Sequence, residues 1–209
     1  MQRVTVDSTH PSDAPIQAAV GELSRSGLVA YPTDTLYGLA VDPRDPEAVA
    51  HLYRVKARPA HFAIPLIATD VAQVEICAAR LSALARHLAI RFWPGPLTLV
   101  LDAASTLDRR ILGDGGSVAI RVPAHKVATA LARGFGHAIT STSANRSGFQ
   151  PAADAESVVA GIGDGVALVL DGGPTAGGPP STIVDARDDV PVLVREGAVP
   201  WERVLQSLA

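Results

Sequence analysis

Apolar residues along the chain fall into two spacings, one near the helical period and one that runs continuously or alternates over short segments. Residues 2–6 alternate and predict a short strand. Ser12 or Asp13 caps a first helix with Pro15 in its first turn; Ile16, Ala19, Val20 and Leu23 keep helical spacing, and Gly27 ends it. The run "LVAYP" (28–32) predicts a buried strand that Pro32 stops. Asp45 and Pro46 open a second helix with Val49, Leu52 and Tyr53 as its apolar stripe. Arg58 precedes Pro59, which disfavours helical backbone at Arg58, so Lys56 falls on the last helical turn and Arg58 in the exit loop. Further strands are expected at 63–68, 97–101, 117–122, 137–143, 166–170, 181–185 and 190–194, and helices at 71–91, 125–133 and near 154–160. Helices and strands alternate early and strands cluster late. This predicts an α/β (α+β) domain over 1–209 with one mixed twisted sheet flanked by helices.

Composition narrows the function classes. At 209 residues and 47% hydrophobic, the chain can bury a sizeable core. A net charge of −3 gives no global attraction to nucleic acid, and aromatics at 4%, scattered, argue against a stacking platform for single strands. Cys77 is the only cysteine, which excludes a disulfide framework and a cysteine-based zinc site. No apolar run reaches the roughly 18 residues of a membrane span, and the first residues lack the apolar centre of a signal peptide. A soluble cytoplasmic protein without membrane contact is expected. The cations are nearly all arginine, with lysine only at Lys56 and Lys126.

Polar residues concentrate where strands and helices end: "PTDTLYGL" (32–39), "KARP" (56–59), "STSANRSG" (141–148) and "DGGPTAGGPPST" (171–182). Loops at strand ends are where open sheets bind ligands, and backbone N–H groups of Gly-rich loops approach phosphate closely. Strand alternation puts Ser117, Ala119 and Arg121 on one face, opposite Val118, Ile120 and Val122; Ser141 shares a face with Ser143, and Leu193 with Arg195. An arginine on the inner face of a strand is costly unless it meets an anion, which singles out Arg121 and Arg195. Singly, each feature has a structural explanation: a Gly-rich turn, an edge arginine reaching water, a lysine favoured by the dipole at a helix C-terminus. No G-x-S-x-G elbow, G-x-x-x-x-G-K-S/T loop or H-E-x-x-H pair occurs.

In combination the segments are more specific. "PTDTLYGL", "KARP", "WPGPLTLVL", "VAIRVP", "STSANRSG", "DGGPT" and "STIVD", in this order, resemble the YrdC-like threonylcarbamoyl-AMP synthase family over roughly residues 15–200. Its K-x-R…S-x-N signature is matched by Lys56, Arg58, Ser143 and Asn145. The resemblance implies a YrdC-like twisted mixed sheet around a large basic cavity. It also implies synthesis of threonylcarbamoyl-AMP and pyrophosphate from L-threonine, bicarbonate and ATP, with Mg²⁺ accompanying ATP. The product would pass to a tRNA threonylcarbamoyl transferase complex that modifies tRNA adenosine. Carried over by position, Lys56, Arg58, Ser117, Ser143 and Arg195 would contact ATP, and Thr33, Arg121, Ser141 and Ser181 threonine. Lys56, Arg58, Ser143 and Asn145 would form the catalytic set. The chain departs from the family pattern at Pro180, where glutamate is usual, and in the variable segment 60–64. The alternative is a YrdC-like paralogue that binds nucleotide or structured RNA without synthase activity, and direct contact with tRNA stays open.

Overall fold

The computed structural model describes residues 1–59 and 62–208. In chain order the elements are β1 (Gln2–Thr5), α1 (Asp13–Leu23), β2 (Val29–Pro32), β3 (Tyr37–Ala40), α2 (Pro46–Lys56), β4 (Leu66–Ile67), α3 (Val71–Cys77), α4 (Ala83–Phe92), β5 (Leu97–Asp102), β6 (Ser117–Arg121), α5 (Lys126–Phe135), β7 (Ile139–Thr140), β8 (Thr142–Ser143), α6 (Ala155–Ile162), β9 (Leu168–Asp171), β10 (Thr182–Asp185), β11 (Val192–Arg195) and α7 (Trp201–Gln206). The mixed α/β class stands, but there are two sheets where the pattern suggested one. A five-stranded sheet runs β1-β9-β2-β3-β8, and a six-stranded sheet runs β11-β10-β5-β6-β4-β7. Both mix parallel and antiparallel pairs.

The apolar pattern explains the layering. β2 is buried on both faces: Leu28 and Ala30 join the larger core, Val29 and Tyr31 the smaller one. Helices α1 and α5 close the smaller core against β2 and β9 through Ile16, Leu23, Val127 and Leu131. The larger core is shared by β5, β6, β10 and the apolar stripes of α2, α4 and α6. Asp45 caps α2 as expected, accepting from the N–H groups of Glu47 (2.8 Å) and Ala48 (3.3 Å).

Four expectations change. The helix foreseen over 71–91 is two, α3 and α4. Ala78 instead bridges to Ala103 on the end of β5, and Ser82 starts α4 by accepting the Ala85 N–H at 2.9 Å. The strand foreseen over 63–68 contracts to the two residues of β4. The hairpin strand β3 lies where the sequence suggested only a polar loop. The strand foreseen over 137–143 divides at Ser141: β7 pairs with β4 in the larger sheet, and β8 pairs with β3 in the smaller. Thr140 stitches this crossing, its hydroxyl donating to the Leu39 carbonyl (3.0 Å) and accepting the Val41 N–H (2.9 Å). The crossing brings the ends of both sheets around one concave space.

Candidate functional site

That space is a cavity of about 580 Å³. The turn after β2 contributes Thr33, Thr35 and Leu36; β6 contributes Arg121; the β7–β8 crossing contributes Ser141 and Ser143. Arg58 follows α2, Thr98 stands on β5, and Pro180, Ser181 and Arg195 come from the region of β10 and β11. Three guanidinium groups and a ring of hydroxyls face inward, and no acidic side chain is among the described lining residues. A cavity lined by guanidinium groups and neutral donors is chemically suited to an anionic ligand.

Each side chain is aimed by a local device. The Thr33 hydroxyl winds the turn, donating to the Leu36 carbonyl (2.6 Å) and accepting the N–H groups of Thr35 (3.2 Å) and Leu36 (3.3 Å). Ala57 takes the left-handed conformation (φ 47°) at the end of α2. This turn sends Arg58 toward the cavity while Lys56 stays on the helix. Arg58 donates from Nη2 to the Ala63 carbonyl (3.0 Å) and lies 5.4 Å from the Phe62 ring centroid, but its buried Nε has no partner among the described residues. Burial lowers its proton affinity. Arg195 donates to the Ser181 carbonyl from Nη2 (2.8 Å) and Nε (3.3 Å); burial and then Arg121 lower its pKa. The Ser181 hydroxyl lies 2.8 Å from that of Thr98. Gly197 passes so close to the backbone of Pro180 and Ser181 that a Cβ there would collide with both.

Arg121 does meet an anion, as its place in the strand required, but one from this chain. Nη1 and Nη2 donate to the two carboxylate oxygens of Asp34 at 2.9 and 3.0 Å. Burial pushes the Asp34 carboxyl up, and the hydrogen bonds and charge of Arg121 outweigh that, leaving it below the usual range. Nearby, burial lowers the pKa of His125 against the pull of Asp34.

Thr33, Arg58, Arg121, Ser141, Ser143, Ser181 and Arg195 therefore converge on one cavity. Lys56, Asn145 and Ser117 do not line it. Lys56 is 1% exposed and turns toward the loop after β8, donating to the carbonyls of Ser143 (2.6 Å) and Asn145 (3.0 Å). Its own carbonyl accepts the Ser147 N–H at 2.7 Å. Burial, and secondarily Arg58, lowers its pKa to about 8. Asn145 continues the latch: its Oδ1 accepts from the Ser143 hydroxyl (2.5 Å), and its Nδ2 donates to the carbonyls of Arg146 (2.8 Å) and Phe149 (2.7 Å). The K…S-x-N spacing thus has a structural meaning, because lysine and asparagine together hold the loop that presents Ser143. Ser117 is buried at the opposite end of β6 from Arg121, where its carbonyl accepts the Gly113 N–H at 2.8 Å. Of the variable segment, Ala60 and His61 lie outside the described residues. Sequence reasoning missed Asp34 and Thr98. Asp34 sits inside the quoted "PTDT", and a carboxylate in a run otherwise of hydroxyls was the available signal.

The Sua5_yciO_yrdC family model, described as telomere recombination, matches residues 22–197. A threonylcarbamoyl-AMP synthase of Bacillus subtilis is 36% identical over 199 residues, covering 95% of this chain and 58% of the relative. A threonylcarbamoyl-AMP synthase of Pyrococcus abyssi is 37% identical over 189 residues, covering 90% and 56% respectively. The chain therefore spans a little over half the length of these curated relatives. The crystal structure of P. abyssi Sua5 complexed with L-threonine superposes with a TM-score of 0.93 at 34% identity, covering all of this chain and 61% of that one.

Proposed function

The chain belongs to the Sua5/YciO/YrdC family, and we propose that it is a threonylcarbamoyl-AMP synthase, joining L-threonine, bicarbonate and ATP with release of pyrophosphate. The observation that carries this reading is the cavity edged by Arg58, Arg121 and Arg195, with hydroxyl donors between them and no acidic residue among the described lining residues. It suits two ligands of different charge held side by side. Arg121 receives the α-carboxylate of threonine, with Thr33, Ser141 and Ser181 around the rest of the amino acid. Arg58, Arg195 and Ser143 take the triphosphate, and Lys56 and Asn145 fix the loop that carries Ser143. Each charge-assisted hydrogen bond contributes roughly 1.5–3 kcal/mol, so a few of them can offset the desolvation of the phosphates. Mg²⁺ enters with ATP as part of that substrate.

The free amine of threonine adds to the carbon of bicarbonate, water leaves, and a carbamate forms. A carbamate oxygen attacks the α-phosphorus in line, and the bond to the bridging oxygen of pyrophosphate breaks. The chain contributes by positioning the two ligands and stabilising the charge that grows on the leaving group. The product would serve tRNA adenosine modification through a separate transferase complex.

The test is pyrophosphate release from ATP, measured with threonine and bicarbonate together and with each omitted. Release should require both. Equal release without either one overturns the synthase reading, and nucleotide binding with no threonine-dependent release moves the chain to a non-synthase paralogue.

A further inference from the structure

The three arginines of the cavity differ in one respect that the sequence did not reveal. Among the described residues, Arg58 and Arg195 donate only to neutral carbonyls and a hydroxyl. Arg121 has a carboxylate partner, Asp34, held across from the other sheet. Both ends of that pair are fixed. Asp34 rides on the turn wound around the Thr33 hydroxyl, and Arg121 is anchored in β6 with its carbonyl accepting the Ala68 N–H at 3.0 Å. The Asp34 bond uses one N–H from each of Nη1 and Nη2. A guanidinium carries five N–H donors, so Nε–H and one hydrogen on each Nη remain, on a side chain that lines the cavity. Burial keeps the nearby His125 from easily becoming a second cation for Asp34. The Arg121 corner is thus close to electrically neutral yet rich in directed donors, whereas the Arg58 and Arg195 edge keeps its full charge.

We propose that Asp34 is a specificity-determining residue. By neutralising Arg121 while leaving its outer donors free, it makes that corner accept a zwitterionic α-amino acid and refuse the phosphates of the nucleotide. This rests on the reading that Arg121 receives the threonine carboxylate. A zwitterion gains directional hydrogen bonds there and loses little by the absence of net charge. A phosphate group gains the same bonds but faces the Asp34 carboxylate behind the guanidinium. Without Asp34, the cavity would hold three uncompensated guanidinium groups, and small anions would compete for all of them.

Asp34→Asn keeps the shape and removes the charge; Asp34→Glu keeps the charge and shifts its reach. Threonine binding is measured by calorimetry without nucleotide, so that it does not depend on turnover. Inorganic phosphate is then added as a competitor, and ATP affinity is measured separately. In Asp34→Asn, the apparent threonine affinity in the presence of phosphate should fall at least about tenfold. Phosphate, which should not displace threonine from the wild type, should do so in the variant, and ATP affinity should hold or rise. Asp34→Glu should still exclude phosphate. A merely structural role would weaken threonine and ATP together, lower the melting temperature and leave phosphate excluded, and that pattern overturns the proposal. If the wild type binds threonine but releases no pyrophosphate, the synthase reading fails while the binding comparison still decides the role of Asp34. A wild type that binds no threonine overturns both.

Discussion

Lys56 and Arg121 are both buried cations beside one cavity, and the chain satisfies them in opposite ways. Arg121 has a full countercharge in Asp34 and keeps donors in reserve for a ligand. Lys56 has no countercharge among the described residues. It spends two donors on backbone carbonyls of the loop it holds, and its pKa falls to about 8. A buried charge paired with a carboxylate leaves an orphan charge when it is removed. A buried charge held by carbonyl dipoles binds its proton more weakly and leaves only neutral groups behind. The same elementary terms therefore make one corner a fixed receptor and the other a latch.

The difference is exposed most strongly by Arg121→Met, which strands the Asp34 carboxylate. Breaking a buried pair from one side costs about 3–5 kcal/mol. With the two side chains 11% and 24% exposed, the loss at pH 7 should be near the lower end, ~3 kcal/mol, with threonine binding abolished. The pH dependence follows from Asp34. Its pKa lies below the ordinary 3.8 in the folded wild type, so its contribution is present above that value and is lost as acid titrates the folded carboxylate. In the variant, burial without Arg121 raises the Asp34 pKa, and the gap to wild type should narrow as the pH falls toward 4. Urea unfolding at several pH values measures this. The double variant Asp34→Asn with Arg121→Met should recover part of the loss; if it recovers none, Asp34 is not the group left stranded.

That pair also marks how far the sequence could be read. An arginine on the inner face of β6 announced that an anion was needed, because the alternation with Val118, Ile120 and Val122 is local. The identity of the anion was not local, since Asp34 stands 87 residues earlier on the other sheet. Helix α2 and the exit at Arg58 were legible from Asp45, Pro46 and Pro59, each of which acts on its own backbone. The direction of Lys56 was not, because its partners are carbonyls of the loop after β8, 87 and 89 residues further along, and the left-handed turn at Ala57, which is not glycine, gave no warning of where Arg58 would go. The division at Ser141 escaped for a similar reason: every residue from 139 to 143 suits a strand, and only the competition between β3 and β4 for partners decides where one sheet hands over to the other. Pro180 shows the converse. The departure from the family's usual glutamate was plain in the sequence, and its consequence, that no acidic side chain is among the described lining residues, needed the fold.

Lys56→Met should have a smaller effect than Arg121→Met. It removes two charge-assisted hydrogen bonds of roughly 1.5–3 kcal/mol each but also relieves an unpaired buried ammonium, so stability at pH 7 should change by about 1 kcal/mol or less. The two cases then separate by pH. Lys56 titrates near 8 when folded against an ordinary 10.5, so between those values the unfolded wild type holds the extra proton and folding gains as the pH rises. The variant lacks this gain, and wild type should pull ahead of it progressively above pH 8. Hydrogen exchange across 143–149 should also quicken in the variant. A wild-type advantage that is flat from pH 7 to 10 would show that Lys56 titrates normally and that the latch is not an unpaired charge.

The smallest effect is expected where neutral groups meet neutral groups, at the third corner. The Thr98 and Ser181 hydroxyls lie 2.8 Å apart, and Thr98 is 2% exposed. Arg195 reaches Ser181 mainly through the main-chain carbonyl, at 2.8 and 3.3 Å, with the hydroxyl farther off at 3.4 Å. Ser181→Ala therefore removes one neutral hydrogen bond, worth about 0.5–1.5 kcal/mol net, and the long 3.4 Å contact to Arg195, and leaves the main-chain anchor of Arg195 in place. Gly197 packs on the same backbone and keeps that carbonyl where it is. ATP affinity in Ser181→Ala should stay within about threefold of wild type, since a factor of ten already corresponds to 1.4 kcal/mol. Threonine affinity should fall somewhat more, because the hydroxyl itself faces the cavity. Thr98→Val tests the same bond from its buried side and should cost slightly more stability with less effect on either ligand. If Ser181→Ala instead weakened ATP as severely as Arg195→Ala, the hydroxyl rather than the carbonyl would be what positions the guanidinium. The third corner would then depend on a side chain, as the Asp34–Arg121 corner does, and not on backbone as the Lys56 loop does.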